Sequence, residues 1–348
     1  MQYFHKLTGL RGFAALIVFV SHAANETLLP EFLGNGFGQT SVMLFFLLSG
    51  FLMTHIYIQE EFSRNNIKQY AFARIGRVLP LYFALLIISV LITQFTEGNA
   101  DSTYPFKFNE LNRTVEAFML IKAPYIFWTI PVEVQFYVVF VGFWGLYKLG
   151  CNAYVLTLYA LLTVFPSAYF YFFVKPKLLG IISTYGFAFF LGLFSAFVLD
   201  KIKDSVSARK AANWFGLPVL ILLCINLPEL RSKVGLVYTN DFFWKTWGDP
   251  LTWLLVYSVF MCVILNSTSM SVLNSQFFVY LGKVSYGFYL LHYPVLAYFV
   301  SITEINLYIR FGLALFITLL LSHLSFYFFE KPLAYKIRQY GKSNAASA

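Results

Sequence analysis

Apolar runs long enough to cross a bilayer occupy almost the whole of this chain. A spanning helix needs about 20 mainly apolar residues, because the hydrocarbon core is about 30 Å thick and a helix rises about 1.5 Å per residue. Inside the bilayer every backbone polar group must be bonded within the protein, so runs of this length fold as helices. The sequence therefore predicts an all-α polytopic membrane protein of about ten transmembrane helices, at residues 7–24, 41–58, 78–95, 125–147, 153–174, 181–199, 211–227, 251–265, 286–302 and 307–329.

The composition excludes the soluble classes of protein. Only 12% of the 348 residues are charged, against about 25% in an ordinary soluble domain, which is too few to cover a water-facing surface. Soluble enzymes, secreted proteins and disordered chains are thereby ruled out. The three cysteines, Cys151, Cys224 and Cys262, show no Cys-x-x-Cys spacing. We therefore expect neither a disulfide framework nor a metal site.

The positions of Lys and Arg predict the orientation of the chain. An even number of spans puts both termini on one side of the membrane, and most basic residues of the connections collect on that side. Cytoplasmic loops carry such an excess, so both termini are predicted to be cytoplasmic. The 25 Lys and Arg against 16 Asp and Glu also fit contact with anionic membrane lipids, and they form no contiguous patch for nucleic acid. We expect one membrane-embedded domain over 1–348, with spans over about 7–330 and a short basic cytoplasmic tail at 331–348.

Few ionisable groups lie inside the apolar runs, and such groups are functional candidates because a charge at membrane depth is costly. Among the carboxylates, Glu133 lies well inside a run. Arg11 and His22 are eleven residues apart, which is three helical turns plus about 20°, so both face the same side of the first span. By the same rise, His22 and Glu133 lie at similar depths. They suit a general base and its orienting carboxylate, although the sequence does not show that their helices touch, and Glu133 equally suits a structural hydrogen bond.

Two further arginines share one helix face at the cytoplasmic end of the third span. Arg74 and Arg77 are three residues apart, and two guanidinium groups held together suit a phosphate or pyrophosphate. The alternative is ordinary anchoring by basic residues at the cytoplasmic boundary. If Arg11 joins them, the three arginines bind a polyanionic molecule whose far end reaches toward His22.

Several motifs, in one order along the chain, resemble the integral-membrane acyltransferase family 3, which includes bacterial O-antigen and other polysaccharide O-acetyltransferases. The motifs are LTGLRG at 7–12 with Arg-x10-His from Arg11 to His22, LFFLLSGFL at 44–52, RIGRVLPLY at 74–82, WTIPVEVQFY at 128–137, LGKVSYGFYLLHYP at 281–294 and EKP at 330–332. The resemblance is to the stand-alone form, so we expect no additional extracytoplasmic hydrolase-like domain of the kind that some members carry.

The resemblance implies a ten-span enzyme of the bacterial cytoplasmic (inner) membrane. It implies transfer of an acyl group, usually acetyl, from cytoplasmic acetyl-CoA to a hydroxyl of a glycan or lipid-linked glycan on the outer side. Acetyl-CoA is then the co-substrate, with its phosphates on Arg11, Arg74 and Arg77. His22 would act as general base or accept the acyl group itself, and Glu133 would orient it.

Four further residues are candidates for support or for stabilising the oxyanion. These are Ser49, Gln135, Tyr137 and His292, which the sequence does not rank. His292 also has a structural interpretation, because it precedes Pro294 by two residues and a helix bent at proline needs side-chain partners for its backbone.

Two other functions use the same buried polar groups. The first is a transporter or flippase for a lipid-linked sugar, against which stands the absence of an internal sequence repeat. The second is a scaffold without catalysis, which gives no reason to retain costly polar groups at membrane depth.

Overall fold

The computed structural model of the protein describes residues 2–96, 104–173, 182–236 and 246–346, and all regular structure in these ranges is helical. This is the outcome that the apolar runs predict. The α-helices are α1 Gln2–Asn25, α2 Phe37–Tyr57, α3 Arg64–Phe95, α4 Leu111–Phe118, α5 Thr129–Lys148, α6 Ala153–Phe173, α7 Ile182–Ile202, α8 Val206–Ile225, α9 Pro228–Lys233, α10 Pro250–Ile264, α11 Gln276–Ser301, α12 Leu307–Leu324 and α13 Lys331–Ala346.

Seven helices of the described residues are long and apolar enough to cross a membrane. The number is eight if α10 and the short helix Thr268–Asn274 that follows it, bent by 88° from each other, count as one span. The multi-pass prediction is thus confirmed, whereas the count of ten and the cytoplasmic termini stay predictions. Positions 174 and 181, where two predicted spans end and begin, lie outside the described residues. Helix α11, where a span over 286–302 was expected, is not among the seven, because its glycines, tyrosines and histidine make it less apolar.

The described residues form two compact units, each built from two separate stretches of the chain. The first unit comprises residues 1–48 and 197–323, and the second comprises 49–196 and 324–348. The predicted tail at 331–348 is largely helical, since α13 runs from Lys331 to Ala346. Helix α3 also begins earlier than the predicted span at 78, because Ser63 caps its first turn by accepting a hydrogen bond from the backbone N–H of Asn66.

In the first unit, α1 packs lengthwise against α11 at very short range. Glycines allow this approach: a Cβ atom on Gly12 would overlap the backbone oxygen of Phe278, and one on Gly282 would overlap that of Thr8. Lys6 reinforces the first turns of α1, because its ammonium group donates to the backbone oxygens of Asn266, at 3.1 Å, and Ser267, at 2.7 Å. The α1–α11 pair is therefore the rigid frame on which the first unit holds its polar side chains.

In the second unit, aromatic rings fill the space between helices. Phe136 of α5 stacks on Phe189 of α7 with ring centroids 4.3 Å apart. Helix α13 packs along α3, where Gly76 leaves room for Ile337. This contact explains why the polar first turns of α3, which the sequence excluded from the span, are nevertheless an ordered continuation of it.

Candidate functional site

His22 lies in the last turn of α1, half-buried and three residues before the helix ends at Asn25. Arg11 is half-buried on the same helix, three turns earlier. The shared helix that the Arg-x10-His spacing predicts is therefore present.

Two aromatic side chains of α11 contact His22. The His292 ring stands edge-on to His22 with centroids 5.1 Å apart and an interplanar angle of 72°. The Tyr293 ring does the same at 5.3 Å and 83°. The Tyr293 hydroxyl donates to Oε1 of Glu26 at 2.7 Å, and the backbone N–H of Glu26, in the turn after α1, donates to the backbone oxygen of His22 at 2.9 Å. His22, Tyr293 and Glu26 thus form a closed set of contacts at the end of α1.

His292 is fully buried. Its Nδ1 lies 2.6 Å from the backbone oxygen of Tyr289, one turn earlier on α11. Its Nε2 is buried and has no hydrogen-bond partner within the part of the chain that the structure describes. A buried polar atom without a partner is uncommon in proteins.

A cleft of about 390 Å³ lies at the end of α1 that carries His22. Asn35 makes three hydrogen bonds at this cleft. Its backbone N–H donates to Oδ1 of Asn25 at 2.8 Å, and its side-chain amide donates to Glu31 at 3.3 Å and to Glu229 at 3.2 Å. Amides and carboxylates of this kind hydrogen-bond readily to hydroxyl groups. The lining residues are Ala24, Asn25, Thr27, Leu29, Glu31 and Asn35.

Glu133 lies on α5 in the second unit and accepts two hydrogen bonds. Ser49 of α2 donates to its Oε1 at 3.0 Å, and Tyr137, one turn along α5, donates to the same oxygen at 2.6 Å. This agrees with the structural alternative for Glu133, a carboxylate that ties two helices together. Since His22 belongs to the first unit, orientation of His22 by Glu133 stays a prediction.

Arg74 lies among tyrosine rings close to Glu133. Its guanidinium carbon is 5.3 Å from the ring centre of Tyr57, 5.7 Å from that of Tyr70 and 6.0 Å from that of Tyr137. One terminal nitrogen donates to the Tyr57 hydroxyl at 3.4 Å. Its Nε is buried and makes no hydrogen bond to any described residue. A guanidinium held by ring faces keeps N–H donors available for an anion.

The remaining candidates have other partners. Arg77 is half-buried on the same helix as Arg74, within electrostatic range of Glu330. The side-chain amide of Gln135 donates to the backbone oxygens of Leu120, at 3.0 Å, and Ile121, at 2.8 Å. Its donors are thus engaged in holding the segment before α5, as those of Ser49 and Tyr137 are engaged by Glu133.

Sequence reasoning missed Glu26 and Tyr293. Glu26 was assigned to a connection, although its four-residue spacing from His22 was a usable signal. Tyr293 adjoins His292 in the motif at 281–294, but nothing in the sequence pairs α11 with α1. No group of three or more His, Cys, Asp or Glu able to hold a metal ion occurs among the described residues.

The family model described as "Acyltransferase domain" matches residues 4–327. Among curated relatives, "Putative peptidoglycan O-acetyltransferase YrhL" of Bacillus subtilis (strain 168) is 24% identical over 365 residues, covering 95% of this chain and 55% of the relative. "O-acetyltransferase OatA" of Staphylococcus aureus (strain NCTC 8325 / PS 47) is 24% identical over 367 residues, covering 96% and 58%. The chain thus spans little more than half the length of these relatives. No solved structure matches it.

Proposed function

The chain belongs to the integral-membrane acyltransferase family 3, and we propose that it transfers an acetyl group from cytoplasmic acetyl-CoA to a hydroxyl of an extracytoplasmic glycan. The observation that carries the proposal is the position of His22 at the end of α1, against two aromatic partners, with a cleft at the same helix end that is lined by two amides and one carboxylate. A histidine at this helix end suits a general base for a sugar hydroxyl that binds in the cleft. The enzyme would work in the bacterial cytoplasmic membrane.

The donor side of the reaction rests on the arginines. The phosphates of coenzyme A bind best to guanidinium groups with free donors and little competing water. Arg74 fits this requirement, since its Nε is buried without a hydrogen-bond partner among described residues. Arg77, one turn along the helix, supplies further positive charge, and Arg11 stays a predicted third contact. The thin pantetheine arm would then carry the thioester toward His22.

The chemistry at His22 moves the acetyl group from the sulfur of coenzyme A to an oxygen of the sugar. One imidazole nitrogen removes the proton of the sugar hydroxyl, and the oxygen forms a bond to the thioester carbonyl carbon. The tetrahedral intermediate collapses with cleavage of the C–S bond, and the coenzyme A thiolate leaves with the proton that His22 carried. A covalent acetyl-His22 intermediate uses the same groups in two steps.

The acceptor is a glycan of the cell envelope. One relative is named as a peptidoglycan O-acetyltransferase, which favours peptidoglycan over O-antigen as the first acceptor to test. Polar groups at the cleft, such as Asn35 and Glu31, suit sugar hydroxyls in either case.

Release of free coenzyme A by the purified protein in proteoliposomes tests the proposal, with acetyl-CoA supplied and peptidoglycan fragments or O-antigen as acceptors. We expect acceptor-dependent release that His22→Ala abolishes. The matched control is His55→Ala, since His55 is an exposed histidine of α2. The flippase is favoured instead if folded wild type releases no coenzyme A but moves a lipid-linked sugar across the bilayer. His22 is excluded as the base if His22→Ala releases coenzyme A at the wild-type rate.

A further inference from the structure

We propose that His292 is the positioning residue of His22: its Nε2 accepts the N–H of the His22 nitrogen that does not contact substrate. The inference rests on the proposed function, and it assigns to His292 the orienting role that was predicted for Glu133. A histidine base needs such a partner, because the acceptor on one ring nitrogen determines which nitrogen carries the lone pair.

The tautomer of His292 follows from its backbone contact. A carbonyl oxygen only accepts hydrogen bonds, so Nδ1, 2.6 Å from the Tyr289 oxygen, must carry the hydrogen. In the neutral ring the lone pair then lies on Nε2. That atom is buried and has no hydrogen-bond partner among the described residues. His292 therefore holds an acceptor ready at a place that water does not reach.

The separation of the two rings fits a direct hydrogen bond. Two imidazoles joined by an N–H···N bond of about 2.9 Å have ring centres about 5 Å apart. The observed separation of His22 and His292 is 5.1 Å. The bond therefore needs a turn of the His22 ring about its own side-chain bonds and no movement of α1 relative to α11. His22 is half-buried, whereas His292 is fully buried.

Glu26 is the competing partner, in the turn that follows α1. Its Oε1 already accepts from the Tyr293 hydroxyl at 2.7 Å, and the Tyr293 ring stands edge-on to His22. His292 is the fully buried neighbour of His22, at a place where an acceptor cannot be replaced by water.

The proton balance of the step is closed. His22 takes one proton from the sugar hydroxyl on its first nitrogen, and its second nitrogen keeps its own proton while donating to Nε2 of His292. The positive charge that forms on His22 is thereby stabilised, and the proton leaves with the coenzyme A thiolate. His292 ends each cycle in the tautomer in which it began.

Two substitutions of His292 separate this role from support of the backbone near Pro294. In His292→Asn the side-chain amide replaces Nδ1 and keeps the donor to Tyr289, but nothing replaces Nε2. In His292→Gln the amide oxygen reaches the Nε2 position. We expect kcat for coenzyme A release to fall about 100-fold in His292→Asn, with KM and thermal stability close to wild type, and to stay within about tenfold of wild type in His292→Gln.

The reverse result, an active His292→Asn and an inactive His292→Gln, would mean that His292 only supports the backbone near Pro294. Wild-type kcat in both variants would also overturn the proposal, as would a large loss in Glu26→Gln while both His292 variants stay active. If wild type shows no acetyl transfer at all, the proposed function fails, and a readout that needs no turnover decides about His292. This is the rate at which diethyl pyrocarbonate modifies His22, followed by mass spectrometry. We expect the rate to fall several-fold in His292→Asn and to recover in His292→Gln; equal rates in all three proteins would refute the positioning role.

Discussion

The close contact of α1 with α11 makes Gly12 a sensitive position far from the chemistry. A Cβ atom at residue 12 would lie 2.7 Å from the backbone nitrogen of Gly282, whereas ordinary contact begins at about 3.4 Å. It would also overlap the backbone oxygen of Phe278. Backbone atoms of a helix cannot rotate aside as a flexible side chain does. In Gly12→Ala the two helices must therefore separate by about 0.7 Å or more.

That displacement reaches the site, because His22 lies ten residues, or about 15 Å, further along α1. His22 moves with α1, while His292 and Tyr293 move with α11. A misplacement of about 1 Å at reacting groups costs about 100-fold in rate. We expect Gly12→Ala to lower kcat for coenzyme A release by about 10- to 100-fold, and to lower stability by about 1–3 kcal/mol through overpacking.

Gly312→Ala on α12 is the matched control, since no atom of another described segment lies within 4 Å of the position its Cβ would take. Alanine is favoured over glycine inside a helix by about 1 kcal/mol, so this variant should be as active as wild type and at least as stable. Turnover in proteoliposomes and thermal unfolding in detergent measure both effects. Wild-type kcat in Gly12→Ala would refute the view that the α1–α11 contact sets the geometry at His22.

Three other perturbations have defined outcomes. Arg74→Lys should raise KM for acetyl-CoA about tenfold with a smaller change in kcat, because an ammonium group replaces the planar fork held among the tyrosine rings; initial rates across donor concentrations measure this. Glu133→Gln should keep kcat within about tenfold, since its oxygen still accepts from Ser49 and Tyr137, and a larger loss would return the orienting role to Glu133. Burial alone would raise the pKa of Asp249, but hydrogen bonds from Thr252 and Arg231 outweigh it and hold that pKa below its usual value. Its contribution is therefore complete above about pH 4 and lost as pH falls through the folded-state pKa, so the thermal stability of wild type, compared with that of Asp249→Asn, should fall as the pH is lowered below about 4.

The helices of this protein follow from its sequence more directly than their ends do. Apolar runs predict where helices lie because the bilayer leaves the backbone no alternative. Hydropathy says nothing of helix turns that continue outside an apolar run, so it predicts the apolar span at 78–95 but not the start of α3 at Arg64. Hydropathy is also a weak signal for α11, since a helix packed against protein on much of its surface need not be apolar all round.

In the candidate site, too, the sequence predicts local features and misses contacts between residues far apart in the chain. The spacing of Arg11 and His22 on one helix is local, so the sequence predicts it correctly. The contact of Tyr293 with Glu26 joins residues 267 positions apart, and no periodicity in a single sequence reports such a pairing. The close approach of α1 to α11 depends on glycines that look unremarkable until the facing backbone is known.

Structural and functional interpretations of a buried histidine need not exclude each other, because the imidazole has two nitrogens. In His292 the sequence suggested a partner for backbone near Pro294, and Nδ1 does contact a backbone oxygen, that of Tyr289. That contact fixes the hydrogen on Nδ1 and so leaves a lone pair on Nε2. A purely structural histidine would be replaceable by asparagine without loss. The buried Nε2 belongs to the ring that packs against His22 and has no hydrogen-bond partner among the described residues, and the cost of leaving it there is explained if catalysis supplies its hydrogen-bond donor.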